Sequence, residues 1–452
     1  MRAKGIRSVA VIGGGPAGAA LATHLTEKGI AVGVFSAGQR PPLVVGESLV
    51  PAVVPHLQKL GIEEEIASIS TYKPGATFSI HSGHEVSFVF SRAGRNVPSY
   101  AYNVSRSDLD SIIAENARRN GAIFIDARAE LVKIQKEQET PSTKKNTAIG
   151  TLDSEVALAE SSLALWRKAL QIDAPDLIVD ASGRNRVIAR FLDLPGWEGT
   201  RKDVALFAHH SEATTPHEGH IHINRIKQGW TWRIPLPGRV SVGVVLPKEA
   251  ARQHGATAEE QYDTLCLEEP TLSTYFPAHR NGDISKSSEH PETVTGTRLT
   301  PVMKYSNYQL ASEVWASESY ALVGDAGGFV DPIFSSGLLL SLEGAELLAH
   351  SICKGWSKRS IQSYERMMKG KMKAWQSLIE SFYDGSMFSL FRLKTLYQHS
   401  RLLRFPIRLV DRQLALALSG VDPSSKHRLW LLRGLLHILQ RQSAPHRFRI
   451  AA

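Results

Sequence analysis

At 452 residues the chain is long enough to bury a large core in two or three domains. Hydrophobic residues at 42% and charged residues at 21% exclude a disordered chain, and no apolar run reaches the roughly 18–20 residues needed to span a bilayer. A net charge of +9 attracts acidic partners, but no nucleic-acid-binding signature accompanies it, so nucleic acid is not an expected ligand.

Val9–Ile12 reads as a buried strand that runs into Gly13-Gly-Gly-Pro-Ala-Gly18 and then a helix over Ala19–Glu27. Glycines, not a signal-peptide cleavage site, follow the apolar run, so a cytoplasmic location is expected. Gly13, Gly15 and Gly18 keep the spacing of a dinucleotide-binding turn, with Ala17 inside it. The first glycine allows the turn, the second the close approach of a pyrophosphate, the third the packing of helix on strand. Ile30–Phe35 is the second strand. An acidic residue usually ends it and holds the ribose hydroxyls; Ser36 stands there instead, which weakens that contact and leaves the phosphate site intact.

Gly46-Glu-Ser-Leu-Val-Pro51 is a loop opening a helix, with Glu47 and Ser48 as its polar groups. In Thr71-Tyr-Lys-Pro-Gly-Ala-Thr-Phe78 a lysine, Lys73, precedes a glycine turn into a strand; as chemistry alone it reads as an exposed turn lysine. A helix begins near Arg106, capped by Ser105 or Ser107, with Asp108 and Asp110 at its positive end. Ile123–Val132 is expected as one strand, Lys133–Thr151 as a polar loop, and Glu155–Gln171 fits either helix or strands. Leu177–Asp180 is a buried strand ending in the turn Ala181-Ser-Gly-Arg184.

Val204–Leu246 alternates like β-structure. His220 and His222 share a face there, but without acidic or cysteine ligands at suitable spacing no metal is expected. Trp230 and Trp232 fall on one side of a strand, as a core wall or as one wall of an aromatic-lined tunnel. Ala250–Leu272 and Leu338–Arg392 are helical by periodicity. Cys266 and Cys353 lie in apolar periodic stretches and read as buried thiols of a reducing compartment.

The most informative stretch runs from Ser319 to Leu348: a short strand, Gly324-Asp325, a small-residue loop through Ser335-Ser336-Gly337, then a helix. Free backbone N–H groups at such a helix start suit an anionic or carbonyl-rich ligand, and Asp325 can accept from hydroxyls. The pair suits the ribityl–pyrophosphate part of a flavin. Downstream, residues 401–450 hold ten Lys or Arg against two Asp, broken at Phe405-Pro406 and Gly420–Ser425.

These strings resemble the flavin-dependent halogenases, in particular their phenol and pyrrole branch within the FAD-dependent monooxygenase family. The resemblance covers the chain from Val9 to about residue 385. It is carried by Gly13–Gly18, Gly46-Glu-Ser-Leu-Val-Pro51, Lys73-Pro-Gly-Ala, Asp180-Ala-Ser-Gly-Arg184, Trp230-Thr-Trp-Arg-Ile-Pro235 and Gly324-Asp325 through Phe329-Val-Asp-Pro332-Ile-Phe-Ser335-Ser336-Gly337. It implies an α/β fold: a Rossmann-type FAD-binding domain, an inserted mixed or antiparallel β-sheet substrate portion at about 70–105 and 200–300, and a basic helical region over 386–452 after a halogenase-like domain over 1–385.

It implies FAD held by Gly13, Gly15, Ala17, Gly18, Ser36, Glu47, Ser48, Arg106, Gly324, Asp325, Pro332 and Gly337. Halide would sit on the N–H groups of Ser336 and Gly337. Trp230 and Trp232 would wall a tunnel that conducts hypohalous acid to Lys73, and Lys73 would halogenate an electron-rich aromatic ring. Phe334 stands where tryptophan halogenases carry a catalytic glutamate, which argues against free tryptophan as substrate. A separate flavin reductase is expected, because no second nucleotide fingerprint is present. The basic tail suggests that the ring is carried by an acidic carrier or other protein, with a membrane surface as the competing partner. Aromatic hydroxylation, including that of a protein-bound tryptophan, and lipid reduction of the geranylgeranyl type are alternative chemistries on the same frame.

Overall fold

The computed structural model describes residues 5–38, 43–81, 84–95, 97–135, 154–211, 213, 215, 217–273, 275, 298–307, 309–397, 404–425, 428–441 and 449–450. Five strands form a parallel sheet in the order Tyr320–Leu322, Leu177–Asp180, Ser8–Ile12, Ala31–Phe35, Ile123–Ile125. A parallel sheet needs cover on both faces, and alternation along the strands supplies two apolar surfaces. Val9, Val11, Val32 and Val34 pack with the helix Pro16–Thr26 and its neighbour Ser336–Cys353. Ala10, Ile12 and Phe35 turn the other way, toward Trp166 of the helix Glu160–Leu170.

Register aligns the carboxyl ends of these strands. Ile12 pairs with both Phe35 and Asp180, and Asp180 pairs with Leu322, so Gly13, Ser36, Ala181 and Val323 emerge along one edge. Ligands of doubly wound sheets bind at that edge.

A second sheet of seven strands runs Met303–Asn307, Asp203–His210, Arg239–Pro247, Trp230–Leu236, Ile221–Arg225, Gly75–His81, His84–Val89. It is antiparallel except where Ile221–Arg225 meets Gly75–His81. Its inner face (Ala76, Phe78, Phe207, Ile223, Trp230, Trp232) joins the large core, and its outer face packs on the helix Ala258–Glu268. The helices Lys358–Tyr383, Ser386–Tyr397, Arg404–Leu418 and Trp430–Arg441 follow, and Phe388, Phe391, Leu414 and Leu432 belong to that same core.

Several local expectations change. The segment expected as one strand from Ile123 divides into Ile123–Ile125, in the parallel sheet, and Leu131–Gln135, in a hairpin with Ser154–Leu158. A tight turn in which the Ala127 N–H donates to Ile125 O makes the break. Of the polar loop expected over 133–151, residues 133–135 belong to the strand Leu131–Gln135 and the rest lies outside the described residues. The long helical stretch from Leu338 is three helices, broken at Gly355 and Gly385, both at positive φ. The tail helices divide next to Phe405-Pro406, one ending at Tyr397 and the next starting at Arg404, so that Pro406 lies in a first turn, where a missing N–H costs nothing. Cys266 is buried as expected; Cys353, the last residue of its helix, is exposed.

Two glycines of the first turn differ in what constrains them. A Cβ on Gly18 would lie 2.0 Å from Gly13 O, whereas one on Gly15 would meet nothing within 4 Å, at an ordinary φ of −72°. Gly18→Ala should therefore lose about 1–3 kcal/mol or more of folding stability. Gly15→Val should lose no more than about 1 kcal/mol. Thermal unfolding of the two variants distinguishes them.

Candidate active site

The edge where the strands converge opens into a cleft of about 670 Å³. Gly13, Gly15 and Ala17 form its floor, at the start of a helix with no acidic residue in its first turn. Gly13 has φ +107°, and a Cβ there would lie 2.5 Å from Ala181 O, so only glycine makes this turn. The open space beside Gly15 faces the cleft, which is what close approach of a pyrophosphate requires.

Arg106 and Asp325 form the polar wall. The Arg106 guanidinium donates to both Asp110 oxygens, at 3.0 and 3.2 Å, and to Val45 O at 2.8 Å. It thereby ties the loop before Glu47 to the helix Arg106–Arg119. Ser105 caps that helix by position, but its Oγ pairs with Ser107 Oγ at 2.8 Å and makes no cap bond. Gly324, at φ +63°, packs against Ala17 and brings Asp325 beside the first helix. Burial pushes the Asp325 carboxyl up to about 6, opposed by Arg106 and Arg184. Its side chain is surrounded by protein yet half-open to the cleft, so at neutral pH it is an ionised acceptor for ligand hydroxyls. Ser36 lines the cleft at the end of its strand, and exposed Arg128 lines it nearby.

Pro332 and Gly337 bound the cleft on the far side. Here Asp331 accepts from the Ile333 N–H at 3.0 Å, and Ser335 takes a left-handed conformation, φ 54°. That turn launches the helix Ser336–Cys353, again with no acid in its first turn, so the opening N–H groups have no partner within the helix. Ser336 Oγ and Ser48 Oγ are buried without hydrogen-bond partners. Orphaned hydroxyls of this kind mark a place that receives a polar guest.

Behind the loop lies a small chamber of about 30 Å³, between Glu47-Ser48, Pro332-Ile333, Ile221 and the two tryptophans. Trp230 and Trp232 sit side by side with ring centroids 5.6 Å apart, as their spacing along one strand requires. Trp232 lies over Gly243, where any Cβ would be 2.2 Å from its ring. Glu47 is buried and bonded to His209 Nε2 at 2.7 Å. Of the two histidines expected on one strand face, His220 Nδ1 lies 3.0 Å from Thr77 Oγ1, while both ring nitrogens of buried His222 lack a hydrogen-bond partner among the described residues.

Lys73 is not an exposed turn lysine. It is 2% exposed, its Nζ donates to Leu49 O at 2.7 Å, and the Phe90 ring centroid lies 5.4 Å away. Burial brings its pKa down to about 7. Glu47 and Ser48 line the chamber and Leu49 holds the amine, so one residue of backbone separates the two places.

Of the sequence-derived residues, Gly13, Gly15, Ala17, Ser36, Arg106, Asp325 and Gly337 line the cleft, Glu47, Trp230 and Trp232 line the chamber, and Ser48 and Pro332 line both; Gly18, Gly324, Ser336 and Lys73 line neither, Lys73 reaching only Leu49 O beside them. Sequence reasoning missed Arg128, which sits in the turn between two strands taken as one. It also missed Tyr383, whose hydroxyl accepts from Trp230 Nε1–H and donates to Asp331, since nothing local marks a contact between residues so far apart.

Residues 91–389 match the family described as tryptophan halogenase, and residues 7–151 match an FAD binding domain. The chain is 28% identical over 408 residues to a 1H-pyrrole-2-carbonyl-(peptidyl-carrier protein) chlorinase of Pseudomonas fluorescens, covering 83% of each chain. It is 26% identical to the tryptophan 2-halogenase of Chondromyces crocatus, covering 83% of this chain and 67% of that one. The solved flavin-dependent brominase Bmp2 shares the fold, with a TM-score of 0.71 at 19% identity over 97% of this chain and 100% of that one. A family match over about two thirds of the sequence, a second match to an FAD binding domain on the residues that floor the cleft, and a paired-tryptophan chamber beside it make this chain a member of the tryptophan halogenase family of FAD-dependent enzymes.

Proposed function

We propose that the protein halogenates an electron-rich aromatic ring, a phenol, pyrrole or indole, and that Lys73 transfers the halogen. The observation that carries this reading is the buried amine of Lys73, held one residue from a chamber walled by two tryptophans. FAD, reduced by a separate reductase, would supply the electrons and the O₂ chemistry that oxidise halide to hypohalous acid. The N–H groups of Ser336 and Gly337 hold the halide at the rim of the cleft. Trp230 and Trp232 exclude bulk water and leave room only for a small neutral species. A buried amine with a pKa near 7 is substantially unprotonated at neutral pH. It takes the halogen from hypohalous acid with release of water, and returns as amine when the ring carbon gains the halogen and loses a proton. Phe334, packed against Phe382 with ring centroids 6.0 Å apart, is apolar and supplies no carboxylate of its own. That supports a ring already activated by its own heteroatom over free tryptophan.

The ring is presented by an acidic carrier protein. Both acids of the tail are engaged by cations outside it: Asp411 with Arg92 and Lys394, Asp422 with Lys371. Arg408, Arg412, Arg428, Arg433 and Arg441 remain exposed on the same helical region. The pyrrole-carrier relative supports this substrate class.

Gly15→Val should remain folded and lose FAD, read by flavin fluorescence titration; unchanged affinity would remove the turn from the cofactor site. Lys73→Met should end halogenation, by mass spectrometry of product, while flavin-dependent O₂ consumption continues. In wild type, product formation should rise with pH through about 7 as the amine loses its proton. Folding stability should rise with pH from 7 to about 10.4, because the unfolded chain binds the extra proton there; Lys73→Met should lack that rise. Turnover of a carrier-tethered ring should fall with salt as the screening length shrinks to about 3 Å at 1 M, while the free ring is slow at any salt. Equal, salt-indifferent turnover of both forms would sink the carrier reading.

A further inference from the structure

Tyr383, the last residue of the helix Lys358–Tyr383, joins two parts of the site that arise from different sheets and turns. Its hydroxyl donates to Asp331 Oδ2 at 2.7 Å and accepts from the Trp230 indole Nε1–H at 3.0 Å. The other oxygen of Asp331 caps the turn Pro332–Phe334, which leads directly into Ser335 and Ser336. All three side chains are buried. An indole N–H can only donate and an ionised carboxylate can only accept, so the hydroxyl between them has a single orientation that satisfies both.

The tyrosine is itself clamped. The Arg201 guanidinium lies 4.2 Å from its ring centroid and is held by both oxygens of Asp203, at 2.8 and 3.1 Å. The Ile450 N–H donates to the Tyr383 backbone oxygen at 2.9 Å. A buried tyrosine needs one partner for its hydroxyl; this one has two, a tunnel wall and the residue that shapes the proposed halide turn.

We propose that Tyr383 is a positioning residue that holds the Trp230 wall and the Ser335–Gly337 halide turn in fixed register, so that oxidised halogen passes into the chamber instead of escaping. This rests on the halogenase reading above. Without the hydroxyl, the Trp230 indole loses its acceptor and Asp331 loses one of the bonds that orient it, while the ring packing that stabilises the fold persists.

The test is Tyr383→Phe, with Asp331→Asn as a second variant that breaks the same chain from the other end. Each should raise the halide KM about tenfold, with FAD affinity unchanged. In protein labelled with fluorotryptophan, the fluorine resonance assigned to Trp230 by its loss in Trp230→Phe should move in Tyr383→Phe, with no turnover required. An unchanged halide KM in both variants beside a halide-dependent wild type would overturn this proposal alone, as would an unmoved Trp230 resonance. Wild-type turnover indifferent to halide would overturn the halogenase reading and this proposal with it. Should Tyr383→Phe fail to fold, Asp331→Asn decides the matter by the same KM.

Discussion

The site depends on a short extended segment, Glu47-Ser48-Leu49, being held rigidly from every side. Val104 N–H donates to Glu47 O at 2.8 Å and Leu49 N–H to Tyr102 O at 2.9 Å, so the segment is bonded alongside the strand Ala101–Asn103. The Glu47 side chain is fixed to His209 on the large sheet, and Leu49 O receives the Lys73 amine. One face of this segment borders the FAD cleft, the next the chamber, and its last carbonyl the lysine. A wall so thin can separate a flavin from an amine only if it does not move. Buried bonds of this kind, each worth about 1 kcal/mol net but more when a partner is stranded, make movement expensive.

The two sheets supply opposite needs. The parallel sheet offers open backbone at strand ends and helix starts, which suits a large anionic cofactor. The seven-stranded sheet offers a closed apolar face, on which Phe207, Trp232 and Trp230 pack in sequence with centroids 5.7 and 5.6 Å apart. Hypohalous acid is small, reactive toward exposed side chains and stable only where partners are few. A chamber of about 30 Å³ limits what can enter, and burial brings the Lys73 pKa down to about 7, so its amine is substantially unprotonated near neutral pH, as the proposed transfer requires. The depression of the lysine follows from its burial, which penalises the charged ammonium.

The C-terminal helices close the assembly from outside. Gly420, at φ +85°, lets the chain approach Val50, and Ser419 O accepts from Ala52 N–H at 2.9 Å, so the tail braces the segment just beyond Leu49. Phe391 meets Phe78 and Phe88 at 5.1 Å each, on the strands that follow Lys73. Basic exposed residues and acids engaged elsewhere leave this region with an outward positive surface. The sequence motifs that carry the family resemblance stop short of it, at about residue 385.

Much of the frame was legible in the sequence, because its signals are local. Glycine spacing, strand–turn–helix order and the alternation that put Trp230 and Trp232 on one face are set by backbone sterics and by the period of two, and each survived folding. Residues 123–132 misled, because a strand that changes sheets has the same apolar pattern as one that does not. What tertiary structure alone decided is the environment of each group: Lys73, which reads by chemistry as a turn lysine on the surface, is buried against Leu49 O; Arg106 reaches Val45; and Tyr383 meets Trp230 across 153 positions. Type and spacing of residues are written along the chain, but desolvation and hydrogen-bond partners are properties of the space that distant segments enclose, and no local pattern encodes them.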